Sequence, residues 1–204
     1  MSTPRLVLVR HGQSEANVLR YLDTRPPGAP LTAEGRAQAE DLASDLADEP
    51  VVAVYASRAL RAQQTAAPLA ARHGLAVGVL DGVHEVQAGD LEGRNEAGAL
   101  QRYEDVFALW SERHELDVPM PGGESARQVL DRFLPDARRA RAEHPDGTVV
   151  LVSHGTAIRL CAPHLVGNPD FLAGLVYLPN TGRIVLETDG DDWRCVEWTG
   201  MRLA

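Results

Sequence analysis

Arg5-Leu6-Val7-Leu8-Val9-Arg10, followed at once by His11-Gly12, is the stretch from which the fold can be read. Four consecutive aliphatic residues between two arginines are too few for a helix, and they lack the alternation of a strand with one wet face. They fit a short strand buried on both sides. Similar runs recur at residues 51–55, 77–80 and 148–153. The segments between them have helical spacing, most clearly after Thr32. There Ala39, Leu42, Ala43, Leu46 and Ala47 follow the i, i+3, i+4 rhythm behind a threonine suited to cap the first turn. Further helices are expected over residues 59–73, 97–110, 125–143 and 156–166. Strands that alternate with helices imply an α/β fold, a three-layer α/β/α sandwich around a mostly parallel sheet. Near the end, residues 183–188 and 193–199 flank Asp189-Gly190-Asp191 and read as a hairpin completing the sheet edge. Residues 25–30, Arg-Pro-Pro-Gly-Ala-Pro, read as a stiff loop.

The chain has 204 residues, a length that suits one domain spanning 1–204. Its net charge is −9, and it contains no lysine, so all 20 fixed cations are arginines. An acidic chain of this kind is a poor binder of nucleic acid, which demands clustered positive charge. The stretch Arg138-Arg139-x-Arg141 is therefore read as a solvated helix face. Two cysteines, Cys161 and Cys195, without CxxC spacing, fit reduced thiols in a cytoplasmic protein. The aliphatic run before Arg10 is too short for a signal-peptide core or a membrane span. A homodimer is allowed, but nothing in the residues selects an oligomeric state.

In open α/β sheets, ligands bind beyond the carboxyl ends of the strands. The first strand ends in Arg10-His11-Gly12 and the second in Ser57-Arg58. The third is followed by Glu85 and the fourth by Ser153-His154-Gly155. Two histidines, two arginines and one carboxylate would then converge on one rim, a sufficient set for phosphoryl transfer. Arginine forks neutralise and orient phosphoryl oxygens. An imidazole attacks phosphorus, and a carboxylic acid protonates the departing oxygen. Cationic neighbours should keep His11 unprotonated, and Gly12 would let the backbone approach the ligand. No metal or other cofactor enters this scheme.

The segment Leu8-Val9-Arg10-His11-Gly12-Gln13-Ser14-x-x-Asn17 resembles the signature of the histidine phosphatase superfamily, which includes the phosphoglycerate mutases. Further blocks follow in the family's order. Pro30-Leu31-Thr32-x-x-Gly35-x-x-Gln38-Ala39 is similar to the segment after the signature. Ser57-x-x-x-Arg61-Ala62-x-x-Thr65-Ala66 resembles the second block, with Arg58 taken as its arginine. Glu85-x-x-x-Gly89-x-x-Glu92-Gly93 resembles the acid block. Pro121-Gly122-Gly123-Glu124-Ser125 resembles the glycine turn, and Val152-Ser153-His154-Gly155 the second-histidine block.

The resemblance implies a phosphoglycerate mutase-like fold, with His11 as the phosphohistidine and Glu85 as the proton donor. It makes Arg10, Arg58 and His154 the phosphate pocket, with Gln13 and Asn17 as further substrate contacts. The ligand would be a small phosphorylated metabolite, with no nucleic acid or membrane as partner. Glu92 is the competing carboxylate, and the spacing to Gly89 favours Glu85. The other five histidines lack such company and are read as surface or packing residues.

Three activities share this signature: a phosphatase, a mutase that returns the phosphoryl group to a phosphoglycerate, and a binder that has lost its chemistry. The missing lysine and Thr156, where mutases of this type carry asparagine, favour the phosphatase. Both His11 and Glu85 are retained, which disfavours the binder. Loop 19–29 departs from the family's usual glutamine-glycine pattern, and Arg20, Tyr21 and Arg25 stand there as candidates to contact the leaving group.

Overall fold

The computed structural model of the chain describes residues 3–170, 177–189 and 192–203. Its framework is a seven-stranded sheet in the order β3-β2-β4-β1-β5-β6-β7. The strands are β1 (Arg5–Arg10), β2 (Val51–Ser57), β3 (Val77–Leu80), β4 (Thr148–Ser153), β5 (Arg183–Asp189), β6 (Asp192–Trp198) and β7 (Met201–Arg202). The first four run parallel to one another, and the last three are antiparallel additions beside β1. β5 and β6 pair as expected of the hairpin, whose turn residues Gly190 and Asp191 lie outside the described residues. The hairpin does not finish the sheet, because β7 pairs with β6 and forms the edge.

Alternation along the strands divides the core in two. Leu6 and Leu8 of β1, Ala53 of β2, and Val149 and Leu151 of β4 face one side. There they meet α4 (Ala97–Arg113), α5 (Ala126–Ala142) and α6 (Gly155–Leu165) through Phe107, Trp110, Phe133 and Ile158. Val7, Val9, Val54, Ala56, Val150 and Val152 face the other side. They pack on α2 (Ala33–Asp45) and α3 (Leu60–Arg72) through Leu42, Ala66 and Leu69. A strand buried on both faces needs apolar residues at every position, which explains the unbroken run in β1. The fold is thus the expected α/β/α sandwich.

The helix starts follow local chemistry. Thr32 caps α2 by accepting from the Gly35 amide, and Ser125 caps α5 in a reciprocal capping box with Gln128. Ser14 does the same with Asn17 for a short helix, α1 (Glu15–Leu19), which the hydrophobic periodicity does not announce. The stretch 138–141 is only partly a solvated face. Arg139 is exposed, but Arg141 is buried and donates to the carbonyls of His144 and Pro145 beyond the end of α5.

Two glycines fix the loop after β1. A Cβ on Gly12 would lie 2.6 Å from the Gly35 carbonyl oxygen, and one on Gly35 would overlap the Gln13 carbonyl. The main chain after His11 therefore lies directly on the first turn of α2. The small size of Gly12 serves this backbone packing rather than the ligand approach expected for it. Gly35→Ala should destabilise the protein by about 1–3 kcal/mol through overpacking. The midpoint of urea denaturation measures this, and a change under about 0.5 kcal/mol would show that the two backbones separate without strain.

Candidate active site

Register brings the two histidines together. β1 and β4 are parallel neighbours with Arg10 opposite Ser153, so the next residue on each strand is a histidine, and the His11 amide donates to the Ser153 carbonyl at 3.0 Å. The two rings lie 5.2 Å apart, centroid to centroid. β2 lies on the other side of β4, and its last residue, Ser57, reaches His154 Nε2 at 2.7 Å.

The cation between the histidines is Arg61, not Arg58. Arg58 has a side chain 57% exposed and pairs with Asp81 at 3.6 Å, away from both rings. It precedes α3, between the buried Ser57 and Ala59, and its side chain turns outward. Arg61 lies in the first turn of the helix on the stripe formed with Ala62, Thr65, Ala66 and Leu69, and its side chain is 3% exposed. Its Nε donates to His11 Nε2 at 3.1 Å and its Nη2 to His154 Nδ1 at 3.2 Å. Nη1 meets Asp23 Oδ2 at 3.0 Å, and Nη2 also donates to the Asp23 carbonyl at 2.7 Å. An arginine placed at helical spacing on an apolar stripe was the available signal for this residue.

These partners assign the ring protons. His11 Nδ1 lies 2.7 Å from the Gly12 carbonyl, which can only accept, so Nδ1 carries hydrogen and Nε2 carries the lone pair. In His154, Nδ1 accepts from Arg61, and Nε2 donates to Ser57. Both rings are neutral. Burial, with Arg61 and then Arg10 nearby, holds His11 well below the usual histidine range despite the opposing Gly12 carbonyl. Burial and then Arg61 do the same to His154.

A pocket of about 310 Å³ opens over this centre, bordered by Arg10, His11, Asn17, Asp23, Arg61 and Glu85 among others. Arg10 donates from Nη1 to the Leu178 carbonyl and the Tyr177 hydroxyl, while its Nε is buried without a hydrogen-bond partner. A donor desolvated in that way is costly, and an anion would satisfy it. The Asn17 side-chain oxygen is taken by the Ser14 amide and Asn180, so what Asn17 offers the pocket is its amide nitrogen. Glu85 accepts from the amides of Thr156 and Ala157 in the first turn of α6, at 3.2 and 2.9 Å, and from its neighbour Val86. Helix-end amides aim this carboxylate into the pocket.

Three of the expected contacts are therefore revised. Arg58 is replaced by Arg61. His154 is fully buried and stands behind the pocket, reaching it through Arg61. The Gln13 side chain accepts from the Thr32 hydroxyl at 2.8 Å and borders only an adjoining recess, because the loop after β1 turns it toward α2. Glu92 holds the Thr24 amide and hydroxyl and the Arg25 amide, so it fastens the loop rather than competing with Glu85. Tyr21 lines the pocket, Arg20 the recess, and Arg25 neither. Sequence patterning gave no sign of Asp23, or of Tyr103 and Arg159 on the far wall. Among the described residues, no group of three or more His, Cys, Asp or Glu side chains is placed to hold a metal ion, and no helix is long and apolar enough to cross a membrane.

Residues 6–200 match the histidine phosphatase superfamily (branch 1). The chain belongs to that superfamily. It is 33% identical to phosphoserine phosphatase 1 of Hydrogenobacter thermophilus over 164 residues, covering 80% of this chain and 76% of that protein. A PE-PGRS family protein of Mycobacterium tuberculosis is 34% identical over 95% of this chain, which spans 36% of that longer protein. In three dimensions, the chain superposes on a mycobacterial glucosyl-3-phosphoglycerate phosphatase with a TM-score of 0.83 and 28% identity, covering 98% of this chain and 100% of the other.

Two neutral buried histidines make folding depend on acidity. The unfolded chain takes up protons at both as the pH falls through about 6.5, whereas the folded chain does so only at lower pH. Their contribution to stability is fully present above about 6.5 and is lost as the pH falls from there toward the folded-state values. Denaturation midpoints measured from about pH 7.5 to 5 should fall with acidity, and less steeply in His11→Asn. Equal slopes in the two proteins would place the titration on other groups.

Proposed function

We propose that the protein hydrolyses the phosphomonoester of a small metabolite through a phosphohistidine at His11, without a metal ion. The observation that carries this reading is the fixed tautomer of His11. Its Nε2 carries the lone pair and accepts from Arg61 Nε, in a ring that borders the pocket together with Glu85.

In the first step Nε2 attacks phosphorus, the bond to the leaving oxygen breaks, and Glu85 gives that oxygen a proton. The Arg61 Nε–H, now on the lone pair, passes to a phosphoryl oxygen as the lone pair is used. Arg10, Arg61 and Asn17 meet the equatorial oxygens, and His154 acts by holding Arg61. In the second step the Glu85 carboxylate takes a proton from water, the oxygen attacks phosphorus, and the N–P bond breaks to release phosphate and neutral His11. The relatives named as phosphatases support water as the acceptor. A second reading, transfer between phosphoglycerates, draws on the similarity to a 2,3-bisphosphoglycerate-dependent mutase of Bradyrhizobium diazoefficiens, 38% identical over 66% of this chain.

The test of the intermediate is its chemistry. Enzyme mixed briefly with labelled substrate should retain the label after base quenching and lose it after acid quenching. His11→Ala should retain none, and EDTA should leave turnover unchanged. An acid-stable adduct would point to another nucleophile, and turnover abolished by EDTA and restored by a divalent metal would overturn the metal-free reading.

The role of Glu85 is tested by leaving-group dependence. An alkyl phosphate departs as a basic alkoxide and needs the proton, whereas p-nitrophenolate does not. Glu85→Gln should lower the single-turnover rate of His11 phosphorylation by about 10²–10⁴-fold for an alkyl phosphate and much less for p-nitrophenyl phosphate. Equal losses would remove the general-acid assignment.

A further inference from the structure

Among the described residues, Asp23 is the one carboxylate at the pocket that directly contacts the cation serving the nucleophile, and the proposed chemistry gives it no step. Its Oδ2 lies 3.0 Å from Arg61 Nη1, and its carbonyl accepts from Nη2 at 2.7 Å. The two side chains are 12% and 3% exposed. The same carboxylate oxygen accepts from the Ala29 amide at 2.8 Å, so loop 22–30 folds back over the pair. Gly28 completes this cover at φ +66°. A Cβ there would overlap Arg61 Nη1 and lie 3.0 and 3.1 Å from the two carboxylate oxygens. The loop backbone is thus built against an ion pair rather than lying near one by accident.

We propose that Asp23 is the internal counter-ion of the phosphate pocket, a positioning residue that holds Arg61 and sets how tightly the pocket retains free phosphate. This rests on the phosphatase reading above. Arg61 has five N–H bonds, and four are engaged by His11, His154 and Asp23. Phosphorylation of His11 Nε2 breaks the link through Nε, while the two links to Asp23 persist. Asp23 therefore keeps Arg61 in place while its Nε–H changes acceptor, and its charge opposes the anion that Arg10 and Arg61 attract. With Glu85 and Glu104, three carboxylates line the pocket beside three guanidiniums, those of Arg10, Arg61 and Arg159. The balance favours release of phosphate once it is formed.

Inorganic phosphate is titrated calorimetrically into the full chain as wild type, Asp23→Asn and Asp23→Ser, with circular dichroism confirming that each is folded. Asparagine keeps an oxygen for Nη1 and the Ala29 amide while deleting the charge, and serine deletes the charge by a different route. Removing one charge a few ångströms from a bound anion should tighten binding by about tenfold, less as salt is added. A residue that merely anchored the loop would leave affinity unchanged or weaken it when replaced. Folded variants that bind phosphate no tighter than wild type overturn the proposal. If wild type binds phosphate and forms the acid-labile adduct while the variants do not tighten, only this inference fails. If wild type neither binds phosphate nor forms the adduct, both readings fail together.

Discussion

The parallel pairing of β1 with β4 is the constraint on which the site depends. Two strands in register, each followed at once by a histidine, deliver two rings to one spot. Everything else at the site responds to that arrangement. Two imidazoles buried together would be hard to keep neutral and ordered without partners, and the partners come from β2, α3 and the loop after β1. Ser57 takes the proton of one ring, the Gly12 carbonyl takes the proton of the other, and Arg61 donates to both lone pairs. The tautomers follow from those acceptors and donors, and so does the direction of the His11 lone pair.

Placing a guanidinium between two imidazoles raises an electrostatic problem that the fold answers locally. Arg61 is nearly inaccessible to water, and burial opposes its charge. Asp23 supplies the compensating carboxylate, and α6 holds a second carboxylate, Glu85, by its helix-end amides. The chain carries a net charge of −9, yet three of its 20 arginines, Arg10, Arg61 and Arg159, line the pocket where an anion would sit. With every cation an arginine, each also brings a planar fork that can hold several acceptors at once, as Arg61 does here.

The framework was legible because it rests on local regularities. Aliphatic runs marked β1, β2, β3 and β4, and the capping residue Thr32 marked the start of α2. His11, Glu85 and His154 could be placed because strand ends in this architecture point to one rim. Arg58 was misread because proximity to the end of β2 was given more weight than where the helix begins. α3 starts at Leu60, so Arg61 shares its inner stripe with Thr65 and Leu69, whereas Arg58 precedes the helix and turns outward. Asp23 was illegible for a different reason. It lies in a loop whose path depends on Glu92 and Arg61, partners distant in sequence, and no periodicity describes such a path. Gln13 belongs to the same class, since only the contact of its loop with α2 turns it aside.

The contact between Gly12 and Gly35 has a consequence for how this protein can change. The loop that carries the nucleophile is seated on main-chain atoms, and the His11 backbone is further held by Ser153 and Asn180. Side chains around the pocket rim, such as Tyr21, Leu100 and Tyr177, take no part in that seating. Mutational drift or laboratory selection can therefore rework the rim toward new leaving groups while the reacting nitrogen keeps its place. Insertions at the start of α2, outside the pocket lining, would by contrast be purged, because they unseat the nucleophile.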